Sequence, residues 1–476
     1  MPRRQMKLEV GDGADLRAGF AEVRAWLGVP AEFPAAVLAE AEEAARAPRL
    51  PERDATDIPF LTIDPPGARD LDQALHIERR APHGYRVWYA IADVAAFVRP
   101  GGAVDAEAHR RVQTLYLPDG NAPLYPPVLS EDAASLLPGE IRPALLWIID
   151  LDSSGEHIGV DVRRALIRSR ERFDYADAQL RIDIGTGDER LLLLREVGQL
   201  RLERERERGG VSLPVPGQEI VQADGGYTLG YRALLPVEWW NAQISLLTGI
   251  AAAELMMYGG VGVLRILPDA PERELERLQR VAHALGVDWP PGVPYSEVIH
   301  GLDPNLPHHA AFLQEASELL RGAGYVAFEG GVPEQATHAA VAAEYAHVTA
   351  PLRRLVDRYA GEICLALVAG ADVPAWVRGA LPRLPEEMER GERRADQVER
   401  ACVDLVEATL LRDRVGEVFD AVVVDVDDGR PGGLVQLRDP AVRARCDAES
   451  LPLGQPVRVR LTTADPGRRE VRFALA

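Results

Sequence analysis

Hydrophobic and polar positions change period along this chain, and the changes outline its organisation. Residues 15–27 and 33–47 carry helical spacing and predict two short helices, parted by Gly28-Val-Pro-Ala-Glu32. The second is rich in Ala and Glu, and 47–52 (Ala-Pro-Arg-Leu-Pro-Glu) reads as its linker to the first strand. Strand patterns come next: a short apolar run at Phe60, Leu61 and Ile63, alternating Tyr, Val, Tyr and Ile over 85–93, and a further run over 145–151. A long helical region opens near Glu238 and closes with an Arg- and Glu-rich helix over 389–411. Beyond residue 416 the strand period returns, with runs at 419–426, 434–437 and 454–461 around a Gly-rich turn at 427–433.

This mixture predicts an α+β fold in which helices pack on a mostly antiparallel sheet. It divides into a small helical module (1–50), a large central domain (51–412) and a small OB-type β-barrel (416–476). The helical module is too short for a five-stranded barrel. It reads as a brace on the core, with a small helix-turn-helix as the other option. The most apolar stretch, 242–264, contains Gln243, Ser245 and Glu254 and reads as a buried helix rather than a membrane span.

Composition narrows the setting. Hydrophobic residues make up 47% of the 476, enough for a sizeable core. Cys364, Cys402 and Cys446 are too widely spaced for a disulfide framework or a zinc site, which points to a reducing cytoplasm. The N-terminus lacks the apolar core of a signal peptide. A net charge of −20 argues against a general nucleic-acid binder, although threading a single strand needs only local positive potential along its path. Arginines do cluster, at Arg353 and Arg354 and at Arg390, Arg393, Arg394 and Arg400. Arg201, Arg204, Arg206 and Arg208 alternate with glutamates, so that run reads as a solvated, internally compensated helix.

Candidate chemistry begins at Asp64-Pro-Pro-Gly-Ala-Arg-Asp70-Leu-Asp72-Gln73. The apolar run delivers Asp64 to a Pro-Pro-Gly turn, and two more carboxylates stand beyond the turn. Carboxylates held this close repel one another, and a cation relieves them; hard oxygen donors suit Mg²⁺ or Mn²⁺ rather than zinc. A solvated acidic loop is the plainer reading of the spacing alone.

Other segments come in order along the chain: Arg53-Asp54, Ile91-Ala-Asp93-Val94, Val104-Asp105 with Glu107-Ala108, Leu115-Tyr116-Leu-Pro118, 122–130, Ser135-Leu136, and Tyr345-Ala-His347-Val-Thr-Ala-Pro-Leu-Arg353-Arg354-Leu-Val-Asp357. In this order and spacing the chain resembles, from about residue 50 to about 410, the catalytic domain of ribonuclease II and ribonuclease R, the RNB family of exoribonucleases. The resemblance implies an RNB-type catalytic domain over 51–412 and an RNA-binding OB-fold at 416–476. It implies a cytoplasmic, monomeric, Mg²⁺-dependent enzyme with no membrane association, which hydrolyses single-stranded RNA from its 3′ end to nucleoside 5′-monophosphates. Family members carry cold-shock barrels ahead of the catalytic domain, where this sequence has its helical module.

The resemblance also implies residue roles. The family's four metal-binding aspartates correspond to Asp64, Asp70, Asp72 and Gln73, with Asp72 catalytic; Gln73 departs from the pattern and offers only a neutral carbonyl oxygen. Arg353 would contact the scissile phosphate, with Arg354 beside it, although Ala350, Leu352 and Leu355 replace the usual neighbours. Tyr116 would stack on the RNA near its 3′ end, and Tyr345, His347, Glu238 and Glu392 would complete the RNA contacts. Taken as bare residues, Arg353 and Arg354 could be a surface pair, Tyr116 a core residue, His347 a structural histidine, and Glu238 and Glu392 helix-dipole partners. A catalytically silent RNA-binding relative and a hydrolase of another phosphoester are the competing functions.

Overall fold

The computed structural model describes residues 14–476 apart from 186–187, 214–216, 224–225, 305, 427–430 and 438–439; for 14–15, 217–223, 226–231 and 307 it describes the backbone alone. The extreme N-terminus and most of the turn expected at 427–433 therefore lie outside the described residues.

Strands β1 (Phe60–Ile63), β2 (Gln73–Arg79), β3 (Tyr85–Ala92), β4 (Ile141–Leu151) and β5 (His157–Phe173) form a closed barrel in chain order. The alternation over 85–93 is β3 and the run over 145–151 lies in β4, with Tyr85 opposite Leu151 and Ala92 opposite Ala144. Neighbours are antiparallel except where the barrel shuts: β1 runs parallel to β5, pairing Phe60 with Ser169 and Ile63 with Phe173. Closure is what the pattern did not predict. The 17-residue β5 is long enough to pair with β4 along its first part and with β1 at its end, which removes both sheet edges. Residues 89–92 of β3 are buried without alternation, because helices cover the outer face of the barrel.

Helix Pro236–Gly259 is the buried helix expected over 242–264, but it stops at Gly260 and the rest of that stretch opens the strand Val261–Ile266; the helix packs between Glu189–Glu207 and Leu355–Val368. Among the described residues no helix is long and apolar enough to cross a membrane. The Arg/Glu run, at the end of Glu189–Glu207, corrects the expectation of a solvated helix. Arg204 pairs with Glu207 and Arg206 with Glu203, but Arg201 and Glu205 are buried. Arg201 donates to Gly155 O (2.8 Å) and Glu205 accepts from the Gln243 amide. Their four-residue separation puts both on one helix face, which the alternation of charge conceals.

Helix Leu384–Leu411 leads into a second closed barrel built from Val418–Val426, Gly433–Leu437, Arg443–Asp447, Pro456–Asp465 and Glu470–Leu475. It too has one parallel pair, Arg443–Asp447 with Glu470–Leu475. The two N-terminal helices are α1 (Ala14–Trp26) and α2 (Ala35–Arg46). Leu16, Phe20 and Val23 of α1 enter the core shared by Leu384–Leu411 and the second barrel, whereas Val37 and Ala41 of α2 enter the core of the first. Each helix is seated on a different body.

Candidate active site

The acidic loop is anchored at both ends. Asp64 comes directly after β1 and donates its N–H to Phe173 O at the end of β5 (3.1 Å). The Pro65-Pro66-Gly67 turn closes with Ala68 N–H on Pro65 O (3.2 Å), and Gly67 takes a φ of 74° that a side chain would resist. On the return to β2, the Ser135 hydroxyl donates to Arg69 O (2.6 Å) and accepts Leu71 N–H (2.9 Å). Leu71 is fully buried, so Asp70 and Asp72 flank a fixed point. Repulsion couples Asp70 to both Asp64 and Asp72.

The countercharge comes from the segment 349–355. Leu352 N–H donates to Asp72 Oδ1 (2.7 Å), and Arg353 Nε lies 3.4 Å from Asp72 Oδ2 with the side chain still 31% exposed. The Arg353 backbone is pinned by its N–H on Ala350 O (3.2 Å) and by Thr114 N–H on its own carbonyl (3.0 Å). Arg354 has a different role. It gives two hydrogen bonds to Asp357 (2.9 and 2.8 Å), whose Oδ1 also accepts Ala350 N–H (2.7 Å). Arg353 thus reaches the carboxylates, while the Arg354 guanidinium is committed to holding the loop.

Phenols surround the acids. Tyr116 donates to Asp70 Oδ2 (3.3 Å). Tyr89 donates to Gln73 Oε1 (2.7 Å), and Gln73 Nε2 donates to Thr349 O (2.6 Å). Both ends of the Gln73 amide are used, so it ties β2 to the Arg353 segment; as a metal ligand its oxygen would have to serve Tyr89 as well. Tyr175, bonded to Asn241, is near Asp64. Burial and the carboxylates push all three phenols upward, so they stay neutral hydrogen-bond donors. Sequence reasoning found Tyr116 and missed Tyr89 and Tyr175.

The electrostatics call for a cation. Burial, aided by Asp70, pushes the Asp64 carboxyl up to about 7 against the pull of Arg172 and Arg353. Burial likewise raises Asp70, and raises Asp72 well above the carboxylate range. Asp64 Oδ2 is buried without a hydrogen-bond partner. Oxygen donors, an excess of negative charge and an orphaned oxygen fit a hard divalent ion. Among the described residues no three His, Cys, Asp or Glu side chains close into a cage by themselves. A hard divalent ion held by these residues would draw its remaining ligands from water.

The other candidates divide. His347 Nδ1 lies 2.7 Å from Tyr325 OH, and its ring meets that of Tyr345 edge-on at 5.5 Å. Tyr325 also donates to Glu392 (3.4 Å), which is held by Arg265 (2.8 Å). Tyr345, His347 and Glu392 therefore gather in one cluster with Arg265 and Tyr325, which the sequence did not single out. Burial, with Arg354 and Arg265 nearby, pushes His347 well below its ordinary value and keeps it neutral. Glu238 stands apart: it accepts Leu235 N–H (2.7 Å) and both Arg232 Nη groups (3.1 and 2.9 Å) at the start of Pro236–Gly259. That is a helix-terminal role.

The chain is similar to known proteins over most of its length. Residues 52–369 match the RNB domain and residues 417–476 the RNase II-type exonuclease C-terminal S1 domain. Ribonuclease R of Escherichia coli (strain K12) is 28% identical, the match covering 92% of this chain and 58% of that protein. The fold is similar to that of Mycoplasma genitalium RNase R in complex with ribose methylated single-stranded RNA (TM-score 0.85, 19% identity, 98% of this chain and 79% of that one). It is also similar to that of yeast Ssd1, a pseudonuclease (TM-score 0.70, 16% identity, 87% and 53%).

Proposed function

Because this chain belongs to the RNB family, we propose that it is a hydrolytic exoribonuclease that degrades single-stranded RNA from the 3′ end to nucleoside 5′-monophosphates. The observation that carries this reading is the gathering of Asp64, Asp70 and Asp72 around Arg353. The three aspartates would hold Mg²⁺, or Mn²⁺ in its place, which when bound supplies an activated water and neutralises phosphate charge.

The remaining work falls to the chain's own side chains. Arg353 is partly exposed and has donors free to fork onto phosphate oxygens, where charge grows in the transition state. Leu352 N–H fixes the direction of Asp72, and the Gln73–Thr349 bond keeps the acidic strand in register with the arginine segment. Tyr116 stacks on a base near the 3′ end, a contact indifferent to base identity. The Glu392 carboxylate, beside Tyr345 and His347, is an acceptor suited to a ribose 2′-OH and so to a choice of RNA over DNA. The C-terminal barrel adds RNA contact, α1 and α2 brace the core, and the enzyme acts as a monomer.

Gln73, standing where the family motif has a fourth aspartate, favours a second reading: a catalytically silent RNA binder. Incubation of 5′-labelled oligo(A) RNA and its DNA counterpart with Mg²⁺ separates the two. A ladder that shortens for RNA alone supports the nuclease, and tight binding without cleavage supports the silent binder. Indifference to RNA would contradict both.

A further inference from the structure

Tyr116 belongs to a small hairpin outside both barrels, in which Leu115 and Ala122 exchange backbone hydrogen bonds (2.9 and 2.8 Å). The base of this hairpin is bound to the Arg353 segment: Thr114 N–H donates to Arg353 O (3.0 Å), and Gln113 forms a β-bridge with Arg354. Its tip has a second tether from a distant part of the chain. Arg24, in the last turn of α1, donates to both carboxylate oxygens of Asp119 (2.8 and 2.6 Å) and to Gly120 O (3.1 Å). The two side chains are only 24% and 15% exposed, so the pair is better shielded than a surface ion pair.

The packing runs the same way. Leu115, Leu117 and Ala122 share a core with Phe20 and Val23 of α1 and with Cys402 of the long helix. At the end of α1, Arg469 of the second barrel lies over the Trp26 ring (4.4 Å), so the helix that holds the hairpin tip is itself anchored. Hairpin tips without such ties are among the most mobile parts of a fold.

We infer that Arg24 is a positioning residue for RNA: by clamping Asp119 and Gly120 it fixes the hairpin that presents Tyr116 to the acidic loop. The N-terminal helix then sets the geometry of base stacking as well as bracing the core. This inference rests on the proposed role of Tyr116 as an RNA contact. Geometry matters beyond charge, because a guanidinium fork grips both carboxylate oxygens in one plane and an ammonium does not.

The test is a double-mutant cycle in the full chain carrying Asp72→Asn, so that the RNA is bound and not consumed. Affinity for fluorescein-labelled oligo(A) in Mg²⁺ is read by anisotropy for Arg24→Gln, Tyr116→Ala and the two combined. Each single change should weaken binding about tenfold, the scale of one base–aromatic stack, and the combination should be no weaker than Tyr116→Ala alone. Asp119→Asn should reproduce Arg24→Gln, and Arg24→Lys should fail to restore affinity. Unchanged binding in Arg24→Gln and Asp119→Asn, or effects that multiply to about a hundredfold in the combined variant, overturn the inference. Unchanged binding in Tyr116→Ala overturns the role of Tyr116 on which it rests. Thermal midpoints of all variants are measured alongside. A loss of affinity in Arg24→Gln that disappears at temperatures well below its midpoint is a folding defect, and also overturns it.

Discussion

Asp357 holds together the loop that carries Arg353, and removing it should cost both stability and chemistry. Its carboxylate is fully buried and accepts three hydrogen bonds, two from Arg354 (2.9 and 2.8 Å) and one from Ala350 N–H (2.7 Å). Asp357→Ala would strand a guanidinium that is 19% exposed and a backbone amide besides. Breaking one half of a buried pair costs about 3–5 kcal/mol, and the residual exposure of Arg354 puts this case near the lower end. An unpaired buried N–H costs about 1–3 kcal/mol. The two losses share one carboxylate, so we expect about 4 kcal/mol in all, a large part of the roughly 5–15 kcal/mol that holds a domain folded. Asp357→Asn keeps the shape and an acceptor for Ala350 while losing the charge, and should cost about 1–3 kcal/mol. Urea unfolding measures the stability, and single-turnover cleavage of oligo(A) measures the chemistry. We expect the Asn variant to fold and to cleave about tenfold more slowly, equivalent to about 1.4 kcal/mol of misalignment at Arg353. Arg378→Ala is the control: it breaks a pair with Glu329 that is 43% and 50% exposed, and should cost under about 1 kcal/mol. An Asp357→Asn protein as stable and as fast as wild type would refute the reasoning, as would a control that destabilises equally.

Two further changes test neighbouring parts of the account. Gln73→Glu replaces the amide donor to Thr349 O with an acceptor, so unfolding should become easier by about 1–3 kcal/mol; no loss of stability would mean that this bond does not tie β2 to the arginine segment. Glu315 is pushed up to about 7 by burial and by Asp425, despite Arg277 at 2.7 Å. Its folded value lies above the ordinary 4.5, so the stability that protonation provides is complete below about 4.5 and is lost as pH rises through about 7. The urea midpoint should fall between pH 5 and pH 8, and Glu315→Gln should flatten that fall; the same slope in the variant would remove Glu315 as its cause.

Much of this was legible in the chain because it is local. The apolar run into Pro65-Pro66-Gly67 and the Asp70-Leu-Asp72 triplet define the acidic loop without tertiary information, and the first half of β3 alternates, with Tyr85 and Val87 buried where Arg86 and Trp88 are not. The failures are of pairings distant in sequence. Barrel closure depends on a parallel contact between β1 and the end of β5, which no periodicity encodes. Tyr89 looks like any inward residue of β3 until Gln73 is known to lie near it across the ladder, and Tyr175 joins the site only because its helix packs near Asp64. Arg265 and Tyr325 belong to a separate two-stranded sheet, where they are cross-strand neighbours. Arg354 is the opposite case. Its partner is only three residues away, yet the pairing of two adjacent arginines drew it into the expected RNA contacts, whereas its guanidinium is spent on Asp357.

The central claim is that the carboxylates around Arg353 are the hydrolytic centre, and Asp72→Asn tests it most directly by removing charge with little change of shape. Turnover of 5′-labelled oligo(A) and affinity for the same RNA are measured on one preparation of the variant. The account predicts RNA binding near the wild-type level with turnover below about a tenth, a barrier raised by more than about 1.4 kcal/mol. A variant that still cleaves above that level would show that hydrolysis takes place elsewhere in the chain.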